Sequence, residues 1–210
     1  MNKLITITMF GQPYNVPCYG SCSCDESQWD GSDVPPSKRD YAKAGVPLRY
    51  LDAECDLMGY QGNVASGRSL YVHGPNGTLK TVFACCMTKA LVNMGYSVRF
   101  ENSRALMTEI QGMFGGNRTD ALERCFACRV LVLDDLGKEQ PTANSVSMLY
   151  ELIEQRYSAM KPIVVTTNFD RAMLAERLSA GDPSTADAIV SRLSESCDTL
   201  FLDGPDRRQS

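Results

Sequence analysis

The stretch His73-Gly74-Pro75-Asn76-Gly77-Thr78-Leu79-Lys80-Thr81 has the residue types and spacing to hold a phosphate chain. Its pattern is G-x-x-x-x-G-K-[ST], in which backbone N–H groups and a helix N-terminus bind phosphate oxygens. Gly74, Pro75, Asn76, Gly77 and Thr78 would form the cradle, Lys80 would reach the β- and γ-phosphates, and the Thr81 hydroxyl would ligate Mg²⁺. One position departs from the pattern, since Leu79 stands where the second glycine belongs. Left-handed backbone at a non-glycine residue costs ~1–2 kcal/mol, equivalent to about tenfold in affinity. The loop is therefore expected to bind nucleotide more weakly than an intact one. Without nucleotide it would be a Gly-rich turn.

A second constellation follows at Val130-Leu131-Val132-Leu133-Asp134-Asp135, an apolar run ending in two carboxylates. Such a pair can divide the work of phosphoryl transfer: Asp134 orders Mg²⁺ and its waters, and Asp135 polarises the attacking water. The alternative is a strand capped by acidic residues. The run Ile163–Thr167 leads into Asn168, whose amide could bond a γ-phosphate or that water, or could simply form a turn. Arg192, Arg207 and Arg208 are the late arginines that could stabilise phosphate charge, from this chain or a neighbouring copy, or could lie solvated on the surface.

These residues need a scaffold that places strand ends side by side. The pattern predicts strands at Ser69–His73, Ser97–Glu101, Val130–Leu133, Ile163–Thr167 and near Thr199–Leu202. Helical stretches are expected at Lys80–Met94, Arg104–Phe114, Asp120–Ala127, Ser145–Met160, Ala172–Leu178 and Ala186–Ser194. Alternation of this kind gives an α/β fold with a parallel sheet covered on both faces and right-handed crossovers. Before it, residues 3–9 read as a strand, residues 11–17 as a hairpin region, and residues 26–39 as a loop or linker.

Composition narrows the chemistry. The chain has 210 residues, 21 basic and 25 acidic, for a net charge of −4, so its surface is not basic as a whole. With a single histidine, His73, a Ser-His-Asp triad or a His-rich zinc hydrolase site is not expected. There is no apolar run long enough to span a membrane and no leader-like start, which is the pattern of a cytoplasmic protein with reduced thiols. Of nine cysteines, Cys18, Cys22 and Cys24 could supply three thiolates to zinc, with Cys55 as a distant fourth, or could be free thiols in a loop. Cys85, Cys86, Cys125 and Cys128 read as core residues. Arg99, Arg104 and Arg118, with Phe114 near them, are candidates for a local single-stranded DNA patch, or are solvated charges.

Taken in order, Ala44-Gly45-Val46-Pro47, the phosphate loop, Leu133-Asp134-Asp135-Leu136-Gly137-Lys138, Glu154-Gln155-Arg156-Tyr157, Thr166-Thr167-Asn168, Ser191-Arg192-Leu193 and Gly204-Pro205-Asp206-Arg207-Arg208 resemble the helicase-loader ATPases of the DnaC/DnaI type and their IstB-type transposition-helper relatives. The resemblance covers roughly residues 44–210. It implies a three-layer P-loop NTPase of the AAA+ class with a five-stranded parallel sheet over residues 46–210, behind an N-terminal Cys-containing segment, residues 1–45. It further implies an ATP- and Mg²⁺-dependent ATPase. Asn168 would be the sensor 1 residue, Arg192 a finger acting across a homo-oligomer interface, and Arg208 or Arg207 the sensor 2 residue. The partners it implies are a DnaB-type replicative helicase and single-stranded DNA, or a transposase for the IstB-type branch. A third reading is a P-loop scaffold that binds partners but hydrolyses ATP poorly because of Leu79.

Overall fold

In a computed structural model, residues 3–9, 12–19, 36–112 and 117–204 are described. Eight strands form one sheet in the order β3-β1-β2-β8-β4-β7-β6-β5. The strands are β1 (Lys3–Met9), β2 (Gln12–Tyr19), β3 (Glu54–Cys55), β4 (Ser69–His73), β5 (Val98–Asn102), β6 (Val130–Leu136), β7 (Ile163–Thr167) and β8 (Cys197–Leu202). The five strands β8-β4-β7-β6-β5 are mutually parallel, as the apolar runs require. The antiparallel hairpin β1–β2 then continues the sheet beyond β8 by pairing Cys18 with Leu202 and Tyr19 with Phe201. β3 joins it on the far side through Ile7 and Cys55. The hairpin thereby covers a flank of β8 that would otherwise offer unpaired backbone groups.

The helices are α1 (Lys38–Lys43), α2 (Tyr60–Ala65), α3 (Lys80–Asn93), α4 (Ser103–Gly112), α5 (Asn117–Ala127), α6 (Ala143–Ser158), α7 (Arg171–Ser179) and α8 (Pro183–Ser196). Residues 38 and 39, expected in the linker, instead begin α1, whose Ser37 and Asp40 form a capping box. Successive strand residues point to opposite faces. Leu70, Val72, Val130, Val132 and Val164 therefore pack in one core cluster with α3 and α2. Tyr71, Leu131, Leu133, Ile163 and Val165 pack in a second with α4 through α8. This is the three-layer arrangement, and it explains why the central strands begin as continuous apolar runs and turn polar only towards their ends. Cys85, Cys86, Cys125 and Cys128 are buried free thiols, as expected.

Because these strands run parallel, the carboxyl ends of β4, β6 and β7 lie at the same edge of the sheet. In an open α/β sheet this edge, where the strand order reverses beside the first strand, is the ligand side. Among the described residues, no helix is long and apolar enough to cross a membrane.

Candidate functional site

The loop between β4 and α3 begins at a backbone crowding point. A Cβ on Gly74 would lie 1.9 Å from the Leu202 carbonyl oxygen, so no other residue fits beside the end of β8. The loop ends at Leu79, which has φ 63° and ψ 23°, the left-handed conformation, and serves as N-cap of α3. The leucine thus adopts the geometry that the missing glycine would have taken. Its half-buried side chain packs against the core cluster under α3.

Lys80 is 6% exposed and turns back into the loop. Its Nζ donates to the carbonyls of Gly74 at 2.8 Å and Pro75 at 2.5 Å and to Thr78 Oγ1 at 3.3 Å. Those oxygens place the ammonium group at the centre of the cradle. Thr81 Oγ1 donates to Asp134 Oδ2 at 3.2 Å, which joins the phosphate loop to the acidic strand across 53 residues of sequence. The other Asp134 oxygen accepts from Thr166 Oγ1 at 2.6 Å. Burial raises the Asp134 pKa to about 6, against the opposing effect of its hydroxyl donors. A hydroxyl and a buried carboxylate side by side, both hard oxygen donors, fit a Mg²⁺ ion.

Asp134 and Asp135 lie within β6, which runs to Leu136 rather than ending at Leu133 as expected. The register against β7 shifts between Leu133 and Leu136, a bulge that re-aims the side chains at the strand end. At that bulge Asp135 has φ 62°. Its backbone N–H donates to Thr166 Oγ1 at 3.0 Å and its carboxylate pairs with Lys138 at 2.8 Å. Beyond β7, Asn168 Nδ2 donates to Asn76 Oδ1 at 2.9 Å, so the polar strand tip touches the phosphate loop directly.

The structure thus brings together the 74–81 loop, Asp134, Asp135 and Asn168. Arg192 is held elsewhere, on the α6–α8 side. Its Nε donates to Glu154 Oε2 at 2.7 Å and its guanidinium lies 4.9 Å from the centre of the Tyr157 ring. Arg207, Arg208, Cys22 and Cys24 lie outside the described residues, as do Phe114 and the side chains of Cys18 and Arg118. Cys55, considered as a distant zinc ligand, is a half-buried free thiol at the end of β3. No group of three metal-ligating side chains occurs among the described residues. Arg99 of the candidate DNA patch is paired with Glu101 at 2.6 Å.

Three contributors escaped the sequence reading. Thr166 and Thr167 appeared as a strand end and beside Asn168 in a matched motif, with no role of their own, yet Thr166 bridges both aspartates and Thr167 Oγ1 donates to the Leu136 carbonyl at 2.7 Å. Glu139 sits in a polar run that looks like surface but is 4% exposed. A buried carboxylate four residues past an acidic strand end leaves no periodic signal.

The chain matches the IstB-like ATP binding protein family over residues 55–210. It is 30% identical over 162 residues to an ATP-binding protein of an insertion sequence from Mycobacterium tuberculosis, covering 77% of this chain and 59% of that one. It therefore spans about three fifths of that curated relative. Among solved structures, it superposes on the DnaC helicase loader with a TM-score of 0.60 and 25% identity, over 70% of this chain and 86% of that one. The DnaI structure gives a TM-score of 0.59 and 26% identity, over 67% of this chain and 73% of that one. With the family matched along most of its length and the phosphate loop, acidic strand and polar strand tip assembled in space, the chain belongs to the IstB-like ATP-binding proteins.

Proposed function

We propose that the chain is an ATP-hydrolysing switch that acts for a mobile DNA element, by engaging a transposase and the DNA it works on. The observation that carries the ATPase reading is the Thr81–Asp134 contact beside the inward-turned Lys80. These are the groups that must meet at a bound triphosphate, drawn from separate parts of the chain. On binding ATP, Lys80 would exchange its loop carbonyls for β- and γ-phosphate oxygens, and the N-terminus of α3 would add its free N–H groups. Thr81 and Asp134 would hold Mg²⁺, which supplies charge neutralisation at the phosphates. Asp135 would accept hydrogen-bonding from the attacking water. Asn168, already in contact with Asn76, would register the γ-phosphate. Arg192 would serve a neighbouring copy in a homo-oligomer after release from Glu154, with Arg208 as a second contact in its own subunit.

The mobile-element reading is supported by the insertion-sequence name of the Mycobacterium tuberculosis relative. A second reading, loading of a DnaB-type helicase onto single-stranded DNA, is supported by the likeness to the DnaC helicase loader. Capture with purified partners separates them: retention by the transposase of an insertion sequence and not by the helicase favours the first, and the reverse favours the second. For the ATPase itself, Lys80→Ala should remove turnover, because the lysine is the principal phosphate contact. Wild-type turnover in that variant would refute the site.

A further inference from the structure

We propose that Glu139 is the positioning residue for Asp135, holding the bulged turn at the end of β6 in the conformation hydrolysis requires. The proposal rests on the reading of Asp135 as the residue that polarises the attacking water. Asp135 occupies the left-handed region at φ 62°, a sterically costly place for a residue with a side chain. Such conformations persist where surrounding bonds over-determine them.

Those bonds can be traced. Before the turn, the Asp135 N–H is taken by Thr166. After it, the Leu136 carbonyl is taken by Thr167. The next amide, of Gly137, has only a side chain to donate to: Glu139 Oε2, at 3.0 Å. The same oxygen accepts from Ser103 Oγ at 3.0 Å, at the start of α4, so the carboxylate ties the turn to the neighbouring strand connection. Arg177 of α7 closes the other side, donating to the Gly137 carbonyl at 3.1 Å and to the Glu139 carbonyl at 3.3 Å. The turn also needs a glycine at 137: it has φ 88°, and a Cβ there would lie 2.9 Å from the Phe169 ring.

Within this network the turn itself supplies two side chains: Lys138, which pairs with the Asp135 carboxylate, and Glu139, which holds the backbone. Glu139 Oε1 is buried with no hydrogen-bond partner among the described residues. A buried carboxyl with an unsatisfied oxygen is a costly choice for a packing position. Its place is explained by the amide and hydroxyl that Oε2 satisfies. Glu139 touches no substrate in this account and acts through the backbone of residues 135–137.

The test measures ATP hydrolysis, nucleotide affinity and thermal melting for the wild type, Glu139→Gln, Glu139→Ala, Glu139→Met and Asp135→Asn. Gln keeps an oxygen acceptor, so Glu139→Gln should hold kcat within about threefold of wild type. Ala and Met remove the acceptor, and Met also fills the space, so either should lower kcat about tenfold or more with nucleotide Kd changed less than about twofold. If Glu139→Ala fails to fold, Glu139→Met decides. Wild-type kcat in the Met variant, alongside loss of turnover in Asp135→Asn, overturns the role of Glu139 and leaves that of Asp135 standing. Equal loss of kcat and affinity in Glu139→Gln and Glu139→Met also overturns it, since that pattern reports general damage to the site. Full turnover in Asp135→Asn overturns the reading of Asp135 and this proposal with it.

Discussion

Leu79 shows why a motif departure has to be weighed in three dimensions. From its type alone, the residue should weaken nucleotide binding by about tenfold. The folded loop already holds it at φ 63°, however, with its side chain against the core under α3. The conformational cost is then charged to folding and not to binding. Partial burial of the leucine side chain, at up to ~1.5–3 kcal/mol for complete burial, offsets that cost within the folded state. Leu79→Gly should therefore change stability by less than ~1 kcal/mol, because it relieves strain and removes packing together. Nucleotide affinity should stay within about threefold of wild type. A fluorescent-nucleotide titration checks this, and a tenfold or greater gain in affinity would restore the view that Leu79 obstructs the cradle.

At the scale of elements, Arg156 carries a burden its sequence setting hides. The residue sits on α6 at an apolar-facing position and is 1% exposed. Its guanidinium donates to the carbonyls of Cys125 at 2.6 Å, Cys128 at 3.3 Å, Arg129 at 2.8 Å and Pro162 at 2.8 Å. These oxygens end α5, start the connection into β6, and precede β7. One side chain thus satisfies a carbonyl in the last turn of α5 and those just before β6 and β7, and so pins two central strands to α6. Burial lowers its pKa, the cost of holding a cation there. Arg156→Ala would leave those carbonyls unpaired and is expected to cost about 3 kcal/mol or more. Arg156→Lys should recover only part, because an ammonium cannot match the fork geometry. Urea unfolding reads both, and losses under about 1 kcal/mol in each would show the network to be dispensable. The contrast with β6 and β7 marks what could be read in advance. Val130–Leu133 and Ile163–Val165 are continuous apolar runs, so their place in a doubly covered sheet follows from local sequence. The bulge at Asp135, the Glu139 contact to Ser103 and the pairing of the hairpin with β8 all depend on residues distant in sequence, which periodicity does not encode. The cradle and the carboxylate pair were legible because each is a contiguous motif; the network that orients them was not.

For the whole molecule, the site is a local cost that the rest of the fold supports. Asp134 is 3% exposed, and burial lifts its pKa to about 6 from an ordinary carboxylate value near 4. The folded state therefore holds its proton more tightly than the unfolded chain. Below about pH 4 both states are protonated and the residue costs nothing in ionisation. As pH rises through the interval between about 4 and 6, the unfolded chain ionises first and gains free energy that the folded chain does not. The contribution of Asp134 to stability consequently falls across that window and levels off above it, by up to ~3 kcal/mol for a shift of about two units. Burial raises the pKa of Glu139 in the same direction, so that residue adds a decline of its own. Asp134→Asn removes the larger contribution. The variant should be more stable than wild type at pH 7 and should show a shallower fall from pH 4 to 6, although it should lose turnover as a Mg²⁺ ligand. Denaturant unfolding at a series of pH values measures both chains. If the wild type falls no more steeply than the variant from pH 4 to 6, or if the variant melts lower at pH 7, the carboxylate is stabilised by its hydroxyl partners more than burial penalises it. The fall also sets a limit on how the site can work: a domain of ordinary stability, about 5–15 kcal/mol, can carry an ionised Asp134 only because the two core clusters hold the sheet independently of it.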